Sequence, residues 1–311
     1  MKPISINGIR LGRKMVHAGQ YAIPGEKTDP LYQILSANRI NMVCAGLHRM
    51  DTTQMFSCCL EAKHRKTAGH ILGYSSDLPD VCIISIYPHH GNHQIPGTLL
   101  RMMGHAGIRF VHLVSSHAMV CVVVETRDQD RVISLLESVF DLPPSHTPYY
   151  QEIEEDISRF LQKYPETRAF YVEEKIKTYG IGLFPGLYLH QTRCKGRELA
   201  DAGETMAEMA RLDKKFHFVS AMPGPNDLYD LFLLTDPDTA GTPATTADFI
   251  SFHGPHFGDR YKILGTAMDC LAAGRVPVML AGCTGASISL VVPPGRGQDA
   301  ANALASGFES P

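Results

Sequence analysis

The chain has 311 residues, 44% hydrophobic and 20% charged, the proportions of an ordinary globular protein. A formal net charge of −3 argues against a nucleic-acid partner, because phosphate binding needs a concentrated basic face. No run approaches eighteen uninterrupted apolar residues and the start MKPISINGIRLGRK has no apolar signal core, so neither a membrane span nor a secretory leader is expected. Eight cysteines, none in a C-x-x-C pair, sit mostly in apolar strand-like runs. They read as reduced, buried thiols of a cytoplasmic protein.

In chain order, Gly8-Ile9-Arg10-Leu11 opens a β-like run. Thr28–Leu60 then reads as helix, strand Ile40–Gly46, turn, and strand Gln54–Leu60, with Thr28 and Asp29 as caps and Pro30 at the first helical position. Next comes strand Val81–Tyr87 and a loop of His, Gly and Asn. A helix over Pro96–Ala106 follows, its Leu99, Leu100 and Met103 on one face, and it ends at Gly107, where a left-handed cap is cheapest. Strands Ile108–Val114 and Ala118–Glu125 flank a polar turn, and a helix covers Asp128–Phe140. Gln151–Tyr164 reads as an amphipathic connector helix stopped by Pro165.

The second half repeats the first. Gly180-Ile181-Gly182-Leu183 opens it, and Gly196–Asp236 reads as helix, strand Phe216–Met222, Pro-Gly turn, and strand Leu228–Leu234. Phe249–Val292 then matches Ile84–Val124: Gly97-Thr98 aligns with Gly265-Thr266 and Ala118 with Ala286, both offset by 168 residues. The Ala-Gly pairs at 106–107 and 273–274 slip by one, and a last helix covers Gln298–Gly307. A shared offset across strand, helix and hairpin means duplication. The expected division is module A (1–76), B (77–148), a helical connector (149–166), A′ (167–240) and B′ (241–311).

A β-α-β-β unit with a second helix and final strand is the ferredoxin-like arrangement, and the fold class read here is α+β, with βαββαβ modules in two duplicated halves. Ile95-Pro96-Gly97, ten residues before Gly107-Ile108, resembles the ACT domain family, and SISIYPHHG…AGIRFVHLVSSHAMVCVVV is most similar to the ACT modules of aspartate kinases. The resemblance covers Ile84–Val124 and Phe249–Val292. It departs at Gln94-Ile95, where many ACT domains carry an aspartate. The lysine- and glycine-rich catalytic signature of aspartate kinases is not found, nor a P-loop or dinucleotide fingerprint. The resemblance implies a non-catalytic regulatory protein without a cofactor. It would bind a small amino acid, form a homodimer and pass occupancy to a regulated enzyme.

Antiparallel pairing of the first and third strands of a module would place the loop leaving one beside the turn entering the other. In module B this collects His89, His90, Gly91, Asn92, Ile95 and Gly97 with Ser115, Ser116 and His117. In B′ it collects His253, His256, Gly258, Asp259, Arg260 and Gly265 with Cys283 and Thr284. Glycines admit a ligand to the backbone, and the free N–H groups of the first helical turn favour a carboxylate. Two other chemistries stay open. His89, His90, His93 and His117, or His253 and His256, could ligate a transition metal. Cys283, flanked by glycines, could act as a nucleophile near His253 or His256.

Overall fold

The computed structural model describes residues 4–22, 29–50, 53–73, 77–143, 149–150, 175–212, 215–237, 244–255, 257 and 261–311. The first half contains β1 (Ile4–Ser5), β2 (Gly8–Ala22), α1 (Leu31–Ala37), β3 (Cys44–Met50), β4 (Thr53–Glu61), α2 (Arg65–Ile71) and β5 (Asp80–Tyr87). It continues with α3 (Gln94–Ala106), β6 (His112–Ser115), β7 (Val120–Glu125), α4 (Gln129–Val139), β8 (Phe140–Asp141) and β9 (Tyr149–Tyr150). The second half runs through β10 (Ile176–Lys177), β11 (Ile181–Lys195), α5 (Leu199–Met209), β12 (Phe216–Pro223), β13 (Leu228–Thr235) and β14 (Thr245–His253). It ends with α6 (Ile263–Ala273), β15 (Leu280–Cys283), β16 (Ser287–Val292), α7 (Gly297–Leu304) and β17 (Phe308–Glu309). The connector helix expected over Gln151–Tyr164 and the cap Thr28 fall outside the described residues.

The fold is mixed α/β around one large, mainly antiparallel sheet. Its order is β4-β3-β15-β16-β14-β11-β13-β12-β6-β7-β5-β2-β9, and β2 also pairs with β4, so twelve strands close on themselves. Closure rests on two strands of 15 residues. The first part of β2 pairs with β5 and its second part with β4, with a register shift between Gly12 and Met15. In the same way β11 pairs first with β14 and then with β13, shifting between Phe184 and Leu187. Two further joints cross between the halves: β3 with β15 (Gly46 opposite Gly282) and β12 with β6 (Ser220 opposite Val114). The two halves therefore pair with each other within this chain.

Three apolar clusters follow from this closure. One joins Leu35 of α1, Leu264 and Leu271 of α6 and Leu304 of α7 to Val16, Leu47 and Leu290. A second joins Leu99 and Met103 of α3, Val132 and Leu136 of α4 and Met206 of α5 to Ile84, Val122 and Val219. The third consists of strand residues alone, among them Val123, Phe218, Phe249 and Val291, and fills the space inside the ring. Strands β5, β7 and β13 are thus buried on both faces along most of their length. That is why VCIISIY and VCVVV read as unbroken apolar runs rather than alternating ones.

Several boundaries differ from the sequence reading. The strand expected at Ile40–Gly46 lies at Cys44–Met50, and that at Ile108–Val114 begins only at His112. Gly107 caps α3 in the left-handed conformation at φ 62°, as its position predicts. The corresponding turn in the second half places φ 53° on Arg275 instead. Gly274 is kept for space there, since a Cβ would lie 2.7 Å from Ala303 Cβ. The last helix is shorter than expected, and the chain beyond it forms β17, parallel to β10.

Helices α3 and α5 cross at Gly97, Gly104 and Gly203. A Cβ on Gly104 would overlap the Ala200 backbone, and one on Gly203 would overlap Arg101. Backbone meets backbone here, so no side chain can yield. Gly104→Val is expected to cost more than the usual 1–3 kcal/mol of overpacking, read as a fall in the urea midpoint. Gly69→Ala, with nothing within 4 Å of its Cβ, should be neutral or slightly stabilising.

Candidate functional site

The juxtaposition predicted for the first half is present. Strands β5 and β7 are antiparallel neighbours, and His89 Nε2 lies 2.7 Å from the Ser116 carbonyl. The Gly91 N–H donates to His89 Nδ1 at 2.9 Å. Nδ1 therefore accepts, and Nε2 carries the proton and donates to Ser116. Burial lowers the pKa of His89 to about 4, which keeps this neutral form. The rest of the loop is also engaged. Gly91 O accepts from Phe216 N, Asn92 Oδ1 accepts from Gln94 N, and the His89 ring stacks 4.5 Å from Phe216. Ser115 Oγ accepts from Val219 N across the β6–β12 joint, and Ser116 Oγ accepts from Met119 N. His90 and His117 are exposed, and Ile95 is in the core.

Gly97 and Gly265 have a packing role instead. A Cβ on Gly97 would lie 2.7 Å from Ala207 N and Gly203 O, and one on Gly265 would lie 2.5 Å from Ser36 Oγ. Both glycines sit where helices from different halves touch, which gives them a reason independent of any ligand.

In the second half, His253 is exposed beside Tyr179, with ring centroids 5.2 Å apart. His256, Gly258, Asp259 and Arg260 lie outside the described residues. Thr284 Oγ1 is buried with no hydrogen-bond partner, unlike its counterpart Ser116. Cys283 is 6% exposed and its thiol is pushed up to about 11 by burial, so it is not an activated nucleophile. Among the described residues no group of three His, Cys, Asp or Glu is placed to hold a metal ion. Both His89 nitrogens are already committed to backbone groups.

A polar group inside the ring was not singled out by sequence. The neighbouring Cys121, together with burial, raises the Cys44 thiol well above the ordinary thiol range, and Cys44 in turn lowers Cys121. Cys44 Sγ lies 3.3 Å from His112 Nε2. Ser57 Oγ lies 2.7 Å from His112 Nδ1 and 3.0 Å from His17 Nε2. Ser85 Oγ lies 3.3 Å from Cys121 Sγ. The signal was a set of His, Ser and Cys residues inside strand runs such as FVHLV and FSCCL. All eight cysteines are buried and free, but these two are hydrogen-bonded rather than inert filler.

No family model matches the sequence, and no curated protein matches it. Solved structures do. An aspartate kinase from Synechocystis superposes with a TM-score of 0.69 at 13% identity, over 98% of this chain and 57% of that one. This chain therefore spans little more than half the length of that kinase. The regulatory subunits of aspartate kinase from Thermus thermophilus (ligand-free form) and Thermus flavus match 44% of this chain. They cover 100% and 99% of their own length, at 13% and 14% identity and TM-scores of 0.38 and 0.37. The architecture is thus one found in an aspartate kinase. The expectation that the chain is not an enzyme is overturned by this comparison, because the protein sharing its fold along nearly its whole length is a catalytic enzyme. A missing nucleotide motif was insufficient ground for that expectation, since folds host many chemistries. No helix among the described residues is long and apolar enough to cross a membrane.

The buried histidines set a pH dependence. Burial holds His17 and His89 to about 4 and His48 and His112 to about 3. Unfolded histidine titrates near 6.5, so below that pH the unfolded chain binds more protons and stability falls. The melting temperature is expected to decline from about pH 6.5 towards about pH 3–4. His112→Leu, the residue type that Leu280 provides at the corresponding position, should flatten that decline in a thermal scan across pH.

Proposed function

We propose that the chain is a regulatory protein of four ferredoxin-like modules of the ACT type, spanning 1–76, 77–148, 167–240 and 241–311, with 149–166 as connector. It binds a small amino acid and passes occupancy to a partner enzyme through a change in packing across the β3–β15 and β12–β6 joints. The recurrence of every major strand pairing in both halves supports the modular reading, as does the fold likeness to an aspartate kinase. Eight buried free thiols fit work in a reducing cytoplasm, and assembly as a homodimer belongs to the same reading.

We site the ligand at the 283–286 turn, beside the end of β14, where His253 pairs with Ser287. One observation carries this choice. Thr284 Oγ1 is buried and unpaired, whereas its first-half counterpart, Ser116 Oγ, accepts from Met119 N. A buried hydroxyl without a partner costs free energy that a ligand's hydrogen bond would recover. Helix α6 follows β14 in sequence, with no side-chain cap on its first turn, and its open N–H groups suit a carboxylate.

A thermal-shift screen of the twenty amino acids tests this. A ligand at a hundred times its dissociation constant adds about 2.7 kcal/mol, an easily read rise in melting temperature. Thr284→Val should remove the rise and Ser116→Ala should keep it. The reading fails if no amino acid moves the transition at millimolar concentration, and the siting fails if the two variants behave the other way round.

A further inference from the structure

The two halves supply a comparison for the outer face of the sheet beneath α5. Aligning the register shifts of β2 and β11 matches Gln20 with Thr192 and Ala18 with His190. Their ladder partners then match Phe56 with Leu231 and Cys58 with Leu233. In the first half the Phe56 ring meets Tyr32 edge-on at 5.6 Å, and the Gln20 side chain bonds to Leu31 N and Asp29 O. The second half has the smaller leucine and threonine at these places. Its covering chain is shorter too. β4 ends at Glu61 and β5 begins at Asp80, so eighteen residues join them, α2 included. β13 ends at Thr235 and β14 begins at Thr245, so only nine join those. A cavity of about 100 Å³ lies here in the second half, lined by all four second-half residues of this comparison.

We propose that this cavity binds a short, branched aliphatic molecule whose head group is uncharged and donates a hydrogen bond, an alcohol in the simplest case. The site is separate from the amino-acid site at the 283–286 turn and does not depend on it. An unfilled space of this size is costly in a close-packed interior, and the first half shows that the fold can fill it. An apolar cavity of about 150 Å³ holds benzene, so this one suits roughly four carbon atoms. Leu231, Leu233 and Met206 make a buried apolar floor, while Thr192 and Thr205 are exposed and stand at the mouth.

The helix decides the head group. Thr205 Oγ donates its proton to the Asp201 carbonyl at 3.0 Å, which leaves its oxygen to accept from a ligand. Helix α5 reads LADAGETMAEM, with three carboxylates and no basic residue, so a second negative charge beside it is disfavoured. Ala202, Thr205, Met206 and Met209 face the cavity. At 3.6 residues per turn they lie opposite Ala200, Gly203 and Ala207, which touch α3. A ligand lodged here therefore bears on the helix whose other flank joins the two halves. Two of the wall residues are methionines, whose unbranched side chains adapt to what they enclose.

The test titrates the full chain, carrying methyl-labelled methionine, with isobutanol and follows the methyl resonances by NMR. Met206 and Met209, assigned through Met206→Leu and Met209→Leu, should shift and saturate in the millimolar range while the other methionines stay still. Isobutyrate, the same carbon skeleton ending in a carboxylate, should shift them less at equal concentration. Thr192→Gln, which copies the first half at the mouth, should remove the saturable shift. Ala202→Leu should remove it from the helix side, and a cooperative melting transition shows that each variant is folded. The proposal is overturned if the shifts grow linearly without saturating, or if methionines outside the cavity move as much. It is equally overturned if either folded variant keeps the saturable response, or if isobutyrate binds as well as the alcohol.

Discussion

Everything in this fold depends on two long strands that each change partners partway along. A small sheet of a few strands buries little apolar surface on its own, and its outer strands expose unpaired backbone groups. Strands β2 and β11 remove both problems. Each hydrogen-bonds one partner along its first part and another along its second, with an irregularity between that turns the strand. The two crosswise joints, β3 with β15 and β12 with β6, then complete a ring with apolar filling inside and helices outside.

That closure fixes what the remaining residues can do. The small residues of α3 and α5 allow those helices to touch backbone to backbone, as two helices from different halves must when the strands beneath them are directly paired. Inside the ring, buried polar groups bond to one another: His17, Ser57, His112 and Cys44 form one chain, Cys121 meets Ser85, and His48 Nε2 meets Ser220 Oγ at 2.8 Å. The low dielectric that makes such bonds strong also keeps these histidines neutral.

Much of this was legible in the sequence. The 168-residue offset located both hairpin-bearing stretches, and the glycine at 107 marked a helix end correctly. Local pattern was weaker at strand starts. Ile40, Met42, Ile108 and Phe110 are buried but precede their strands, because core burial does not require ladder pairing. Gly97 and Gly265 looked like ligand contacts because a glycine kept for helix crossing and one kept for a ligand leave the same letter in the sequence. The dual pairing of β2 and β11 was hidden, since each strand's partners are distant in the chain and one continuous strand gives no sign of changing neighbours. The interior network was hidden for a similar reason: His17, Ser57, Cys44 and Cys121 come from four strands and meet only once the ring is closed.

The crosswise joints have one more consequence. Strand β3 finds its outer partner in β15 and β6 finds its own in β12, so neither half can complete its sheet from its own residues. Two separate polypeptides with these halves would have to meet by diffusion, and dilution would part them. Carried on one chain, each half faces the other at a fixed effective concentration, in the millimolar range for short flexible links. The assembly is therefore insensitive to how much protein the cell makes, and the two halves are always present in a one-to-one ratio.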